Sequence, residues 1–296
     1  MSTQAQLTLF SPIKVNLYLR IVGKRPDGYH DVETVMVPLD FGDKLAFTLA
    51  EPGITMSCDN PSLPTDDSNL VMRAAKKLAD RFAVKRGAHI TLTKRAPLAA
   101  GVGGGSSNAA FTLLGLNQLW DLGATESQLG EIAASLGSDI NFFMAGSTAL
   151  CRGRGEQVVP VLFRLSASVL LVNPGFGIST KWAYESWAKA AARLTVQPPD
   201  ATLLLHALAE DDLAGVCEAL YNSLEAPSAG KFPVLELLKR TMLAQGAAGA
   251  LMSGSGASVF GLFANAADAE RAAATVRSEF GPSMWTRVCG FGCPVV

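Results

Sequence analysis

Pro97-Leu98-Ala99-Ala100-Gly101-Val102-Gly103-Gly104-Gly105-Ser106-Ser107-Asn108-Ala109-Ala110 is a glycine-rich turn that closes on two hydroxyls and runs directly into an apolar helix. Four glycines within five residues permit backbone conformations and close approaches that a Cβ forbids. Several amide N–H groups then converge on one anion at the positive end of the following helix. The segment reads as a phosphate cradle, and its ligand as a nucleotide. A Walker loop is excluded because no lysine follows Gly105. A dinucleotide fingerprint is excluded as well. Ser106 stands where its third glycine belongs, and Asp121 falls in the helix-ending Trp120-Asp121-Leu122-Gly123.

Working outward, His89–Lys94 alternates as a half-buried strand that feeds the loop. The helix after the loop carries Ala109, Ala110, Leu113, Leu114 and Trp120, and Thr125-Glu126-Ser127-Gln128 is a capping box for the next helix, ending at Gly137. Upstream, residues 7–22 read as one or two strands. The turn Arg25-Pro26-Asp27-Gly28 follows, then extended stretches through Val32, Val35 and Val37 and through Leu45–Leu49. Ser68 is expected to cap a helix over 69–83. Downstream come a strand over 168–172, helices over 180–192, 201–221 and 233–245, a strand, the small-residue turn Ser253-Gly254-Ser255-Gly256-Ala257 and a second strand. A helix over 265–279 and a last strand over 284–289 complete the pattern. That order is a split βαβ, ferredoxin-like layer, and the whole pattern is α+β.

The chain has 296 residues, enough for two domains, with 49% hydrophobic and 17% charged residues. A formal net charge of −1 with interspersed signs argues against a nucleic-acid or membrane-surface partner, so the nucleotide is expected as a small molecule in a pocket. No apolar run reaches the roughly 20 residues that span a bilayer, and the N-terminus lacks a secretory pattern. Cys58, Cys151, Cys217, Cys289 and Cys293 are scattered, odd in number and without zinc spacing, as expected of reduced thiols in a cytoplasmic protein. His30, His89 and His206 show no metal-ligand spacing.

A cradle without a Walker lysine needs positive charge and a base from elsewhere. Lys14, in Ser11-Pro12-Ile13-Lys14-Val15-Asn16, sits within an apolar strand, where it either snorkels or pairs with a carboxylate or phosphate. Asp139, in Gly137-Ser138-Asp139-Ile140-Asn141, is either a helix N-cap or a carboxylate presented to a pocket. The turn 253–257 is either a hairpin connection or a second backbone approach to the phosphates.

Taken together, residues 97–110, Lys14-x-Asn16, Gly137-Ser138-Asp139 and Ser253–Ala257 resemble the three motifs of the GHMP kinase superfamily. Gly23-Lys24-Arg25-Pro26-Asp27-Gly28-Tyr29-His30 and Asp67-x-Asn69-Leu70-Val71-x-Arg73-Ala74 resemble the branch that phosphorylates a methylerythritol hydroxyl carried on cytidine diphosphate. A homoserine- or mevalonate-type kinase is the alternative. The resemblance implies a two-domain GHMP kinase fold: a ribosomal S5 domain 2-like N-terminal domain (1–160) and a ferredoxin-like C-terminal domain (161–296). It also implies ATP and Mg²⁺ as cofactors, a cytoplasmic monomer or weak homodimer, and a small-molecule acceptor with a cytidine diphosphate moiety.

Carried over residue by residue, the resemblance makes Asp139 the base and Lys14 its partner. Pro97, Leu98, Ala99, Ala100, Gly101, Val102, Gly103, Gly104, Gly105, Ser106 and Ser107 form the ATP phosphate loop, and Asn69 and Lys94 lie along the nucleoside. Asn16, Tyr29, His30, Thr180 and Tyr184 bind the acceptor, with Tyr29 stacked on the cytosine and His30 reading its edge. Ser107 is open to two roles, Mg²⁺ ligand or helix cap. Two departures from the pattern are Asn141, where a proline is usual, and Val102 in place of leucine.

Overall fold

The computed structural model describes residues 6–190 and 198–292; Cys293 and the last two residues of the expected 180–192 helix lie outside them. The chain starts with two long strands, β1 (Gln6–Lys24) and β2 (His30–Ala50), paired antiparallel around the Arg25–Gly28 turn. β3 (Ile54–Cys58) and β4 (Gly87–Thr93) extend this sheet on the β2 side, and β5 (Ala149–Arg152) and β6 (Gln157–Pro160) form a hairpin on β2. Helices α1 (Leu70–Arg81), α2 (Gly104–Leu119), α3 (Glu126–Leu136) and α4 (Ile140–Ala145) cover this sheet. Phe47, Ile90, Leu113, Leu116 and Trp120, all fully buried, form its core.

Between β6 and β7 (Ser168–Asn173) the chain changes sheet. α5 (Thr180–Ala190), α6 (Ala201–Ala209), α7 (Leu213–Glu218), β8 (Tyr221–Asn222), α8 (Glu225–Lys231) and α9 (Val234–Ala244) follow. β9 (Gly249–Met252), β10 (Val259–Phe263), α10 (Ala266–Phe280) and β11 (Trp285–Cys289) complete it. The four-stranded antiparallel sheet has the order β11-β7-β10-β9, the spatial order of a split βαβ layer. β8 returns to the first sheet, pairing parallel with β1 at Tyr18–Tyr221 and Leu19–Asn222, and an antiparallel bridge between Leu39 and Phe291 ties the end of the chain to β2 as well.

The stretch Ile13–Leu19 is buried on both sides, because β1 lies between the two halves. With the period-2 alternation of a strand, Ile13, Val15 and Leu17 join Val169, Leu171 and Phe260 in a core between the halves. Lys14 and Asn16 take the opposite face. A register shift between Asn16 and Tyr18 then turns Tyr18 into that same core.

Two local expectations are corrected. Asn69, not Ser68, caps α1: its side chain accepts from Val71 N at 2.9 Å, while Ser68 bonds Asp66. The expected helix over 201–221 is two helices. Asp211 adopts φ 59°, which ends α6, and the Asp212 carboxylate caps α7 by accepting from Gly215 N. The capping box at Thr125 and the stop at Gly137 are as expected.

Candidate active site

Lys14 is 3% exposed, which removes the snorkelling reading. Its Nζ donates to Asn16 Oδ1 and lies 3.5 Å from Asp139 Oδ2. Asn16 is itself fixed: its Nδ2 donates to Thr34 Oγ1 at 2.8 Å, and Thr34 donates on to the Tyr18 carbonyl at 2.6 Å. The strand thus presents a cation and an amide on one face, each held by β1 or β2.

Asp139 occupies the N-cap position of α4, yet its side chain makes no capping hydrogen bond. Its carboxylate turns to Lys14 instead and remains one-third exposed. Phe142 and Phe143 bury the helix behind it, so a six-residue helix fixes the base of the aspartate while leaving its carboxylate accessible. The Cys151 thiol behind this site is pushed up to about 12 by burial first and the Asp139 charge second, so it is no nucleophile here.

The glycine loop is anchored at both ends. At its start, the fully buried Asp43 carboxylate accepts from the Arg95 and Ala96 amides at 2.7 and 2.9 Å, from Asn108 Nδ2 and from the Lys94 ammonium. Lys94 thereby sits beneath the first turn of α2; a Cβ on Gly104 would lie 3.2 Å from its Nζ. Ser107 is fully buried and its Oγ accepts from Ser11 Oγ at 2.8 Å, so it faces the scaffold. In its middle, the loop meets the second small-residue turn. Ser253 Oγ donates to the Gly101 carbonyl at 3.0 Å, and Ser258 N donates to the Ala100 carbonyl. A Cβ on Gly101, whose φ is +77°, would stand 2.2 Å from the Ser253 carbonyl oxygen, so only glycine fits. The turn 253–257 is therefore both a hairpin connection and a backbone partner of the loop.

These elements enclose a cavity of about 700 Å³. Lys14, Asn16, Asn69, Lys94, Asp139, Thr180, Tyr184 and the whole loop from Pro97 to Ser106 line it. Ser107, Tyr29 and His30 do not. Tyr29 is 57% exposed at the β1–β2 turn, with the Arg154 guanidinium over its ring at 5.1 Å. His30 stacks on Tyr184 (centroids 5.1 Å apart, planes 29° apart) and meets the edge of Trp187. Its Nε2 is buried without a hydrogen-bond partner, and burial, then Lys24, holds its pKa below the usual value. Burial, then the Asp139 charge, pushes the Tyr184 hydroxyl well above the usual phenol range. Thr180 Oγ1 lies 3.1 Å from Ser255 Oγ, both on the cavity wall.

Sequence reasoning missed Asp43, Thr34, Ser253 as a loop clamp, and Arg154. Asp43 follows Phe41-Gly42 in a strand, where an aspartate is unfavourable, and that misfit was its only signal. Arg154 is flanked by two glycines in Arg152-Gly153-Arg154-Gly155-Glu156, the composition of a tight turn presenting one cation. Among the described residues there is no group of three or more His, Cys, Asp or Glu that could hold a metal ion, and no helix long and apolar enough to cross a membrane.

An anion cradle that does without a Walker lysine, facing a buried lysine and an accessible aspartate, defines the small-molecule kinases of the GHMP class. Two family models match accordingly: GHMP kinases N terminal domain over residues 69–147 and GHMP kinases C terminal over residues 204–282. The chain is 40% identical over 277 residues to the 4-diphosphocytidyl-2-C-methyl-D-erythritol kinase of Citrifermentans bemidjiense, covering 93% of this chain and 96% of that one. To the enzyme of the same name from Prosthecochloris aestuarii it is 42% identical over 275 residues, 91% and 95% of the two chains. A crystal structure of 4-(cytidine 5'-diphospho)-2C-methyl-D-erythritol kinase superposes with a TM-score of 0.81 at 33% identity, over 97% of this chain and 100% of the other. A homoserine kinase from Cytophaga hutchinsonii, at 19% identity and TM-score 0.73 over 99% and 96% of the two chains, shares the fold. The chain belongs to the 4-diphosphocytidyl-2-C-methyl-D-erythritol kinase family, and as a kinase of that family it uses ATP.

Proposed function

We propose that this chain transfers the γ-phosphoryl group of ATP to the 2-hydroxyl of 4-diphosphocytidyl-2-C-methyl-D-erythritol, giving the 2-phosphate and ADP. The observation that carries the reading is the Lys14–Asp139 pair, 3.5 Å apart on the wall of the cavity that the glycine loop also lines. Phosphoryl transfer asks little covalent chemistry of the protein, so positioning and charge neutralisation dominate. The loop amides and the N-terminus of α2 hold the phosphates of ATP. Asp139 orients the acceptor hydroxyl and takes its proton as the bond to phosphorus forms. Lys14, tied to Asn16, offsets the charge developing on the transferred group.

Oxygen donors on the cavity wall, the Ser106 hydroxyl among them, fit a hard divalent cation held largely by the nucleotide phosphates. Mg²⁺ would supply neutralisation of the phosphate oxygens, and Ser106, on the cavity wall, is the loop hydroxyl available to it. Ser107 is committed to Ser11.

At the other end, the cytosine is bound by the Tyr29, His30 and Tyr184 group; Tyr184 lines the cavity, and the unpartnered His30 Nε2 behind it would meet a base edge once the His30–Tyr184 stack parts. The deciding experiment is ADP release with 4-diphosphocytidyl-2-C-methyl-D-erythritol, ATP and Mg²⁺, beside mevalonate and homoserine. Turnover of the cytidine-bearing alcohol alone supports the proposal. Turnover of either of the others in its place overturns the acceptor while leaving the kinase.

A further inference from the structure

Three cations line the cavity, and two of them are spoken for. Lys14 faces Asp139, and Lys94 is paired with the buried Asp43. The third, Arg154, has no carboxylate oxygen within ion-pair distance among the described residues. The nearby Asp27 carboxylate is held by Arg25 at 3.1 Å. Arg154's guanidinium makes a 3.5 Å bond to the Ala134 carbonyl and lies over the exposed ring of Tyr29.

The placement is built by the backbone. The β5–β6 turn carries left-handed Gly153 and Gly155 on either side of Arg154, whose amide donates to the Glu156 carboxylate at 2.6 Å. Gly153 O accepts from Val32 N at 2.7 Å, and Arg152 pairs with Glu33 at 3.0 Å, which ties the turn to the start of β2. Gly155 packs beside Asp139: a Cβ there would be 3.8 Å from its Oδ1. Arg154 therefore stands between the Tyr29 end of the site and the aspartate, on a turn bonded to the start of β2 and packed beside Asp139.

From this geometry we infer that Arg154 is the diphosphate-reading residue of the acceptor site: its guanidinium, stacked on Tyr29, binds the diphosphate that joins the cytidine to the alcohol. The inference rests on the proposed acceptor. A planar guanidinium offers paired donors to phosphate oxygens, and stacking on an aromatic ring orients those donors without using them. The cation that a diphosphate needs is then supplied without disturbing the Lys14–Asp139 pair.

The test measures binding of cytidine and of CDP separately, in the absence of ATP, by isothermal titration calorimetry on wild type, Arg154→Ala and Arg154→Lys. Wild type is expected to prefer CDP over cytidine. Arg154→Ala is expected to lose roughly ten- to a hundred-fold in CDP affinity, the range of one or two hydrogen bonds to a charged group, with cytidine affinity changed far less. Arg154→Lys, which keeps the charge, is expected to fall between. Equal losses for cytidine and CDP would overturn the inference, because they would make Arg154 a brace for Tyr29 only. Unchanged CDP affinity in Arg154→Ala would overturn it as well. Wild-type protein that binds neither ligand would overturn the acceptor reading itself, and with it the inference.

Discussion

Lys94 and Asp43 form a buried ion pair beneath the phosphate loop, Nζ to Oδ2 2.5 Å, with side chains 4% and 0% exposed. The same carboxylate receives the Arg95 and Ala96 amides and Asn108 Nδ2, so one side chain joins β2, the loop and α2. Removing one partner of such a pair leaves an uncompensated buried charge, which costs about 3–5 kcal/mol, whereas replacing both by apolar groups costs much less. Asp43→Ala is therefore expected to lower unfolding stability by at least that amount in urea titrations, and Asp43→Leu/Lys94→Met to recover only the part due to the unpaired lysine, since the Arg95 and Ala96 amides and Asn108 still lose their acceptor. A double variant less stable than Asp43→Ala would contradict this account of the pair.

Asp139 and Lys14 are expected to act in the chemical step. Asp139→Asn keeps the shape and removes the proton acceptor; Lys14→Met keeps the stem and removes the charge. Each is expected to reduce kcat by roughly 10²–10⁴-fold, the range for positioned acid–base groups. ATP binding, followed by the rise in melting temperature on adding the nucleotide, is expected to survive in Asp139→Asn. A near-normal kcat in both variants would remove the pair from the mechanism.

The glycine loop also predicts a contrast within itself. Gly101→Ala pushes a Cβ to 2.2 Å from the Ser253 carbonyl at a φ of +77°, whereas Gly105→Ala meets only Leu70 Cδ1 at 3.8 Å. In apo protein, Gly101→Ala is expected to lower the melting temperature by several degrees, from roughly 1–3 kcal/mol of overpacking and backbone strain. Gly105→Ala, in the first turn of α2, is expected to leave it unchanged or slightly raised, as alanine loses less backbone entropy in a helix than glycine does. Equal melting temperatures for the two would mean that the two loops are not clamped at Gly101.

What the sequence disclosed was what local pattern encodes. The loop, the strand lysine and the Gly-Ser-Asp turn each carry their chemistry within a few residues, and the short apolar run of β7 marks a buried strand. Both readings of Asp139 were partly true, since it stands at an N-cap position but caps nothing. What stayed hidden depends on distant parts of the chain. β8 is two residues long and exists because β1 offers it a parallel edge. The 201–221 segment reads as one helix by composition, and a single left-handed aspartate breaks it. Asp43 gains its role only when the amides of residues 95 and 96 fold over it, and Arg154 only when Tyr29 arrives beneath it. Lys94, expected along the nucleoside, spends its charge on Asp43, a partner no spacing rule connects to it.

His30 gives the site a pH dependence with a definite sign. Its pKa lies below the ordinary 6.5, through burial first and the Lys24 charge second. The unfolded chain therefore takes up the proton before the folded one as pH falls. The stability contributed by a neutral His30 is complete above about pH 6.5 and is lost as pH drops through the lowered folded value. In the folded protein the ring faces Tyr184 and the Trp187 edge, and its Nε2 has no acceptor to receive a second proton's hydrogen bond. The chain holds two further histidines, His89 and His206, so wild type must be compared with a variant lacking only His30. Urea unfolding at pH 7.5 and 5.5 is expected to show a larger loss of stability in wild type than in His30→Gln. In proton NMR the His30 resonance is expected to titrate with a midpoint below 6.5. A midpoint above 6.5, or a larger acid loss in His30→Gln, would reverse the sign and place a charged imidazole in the acceptor site.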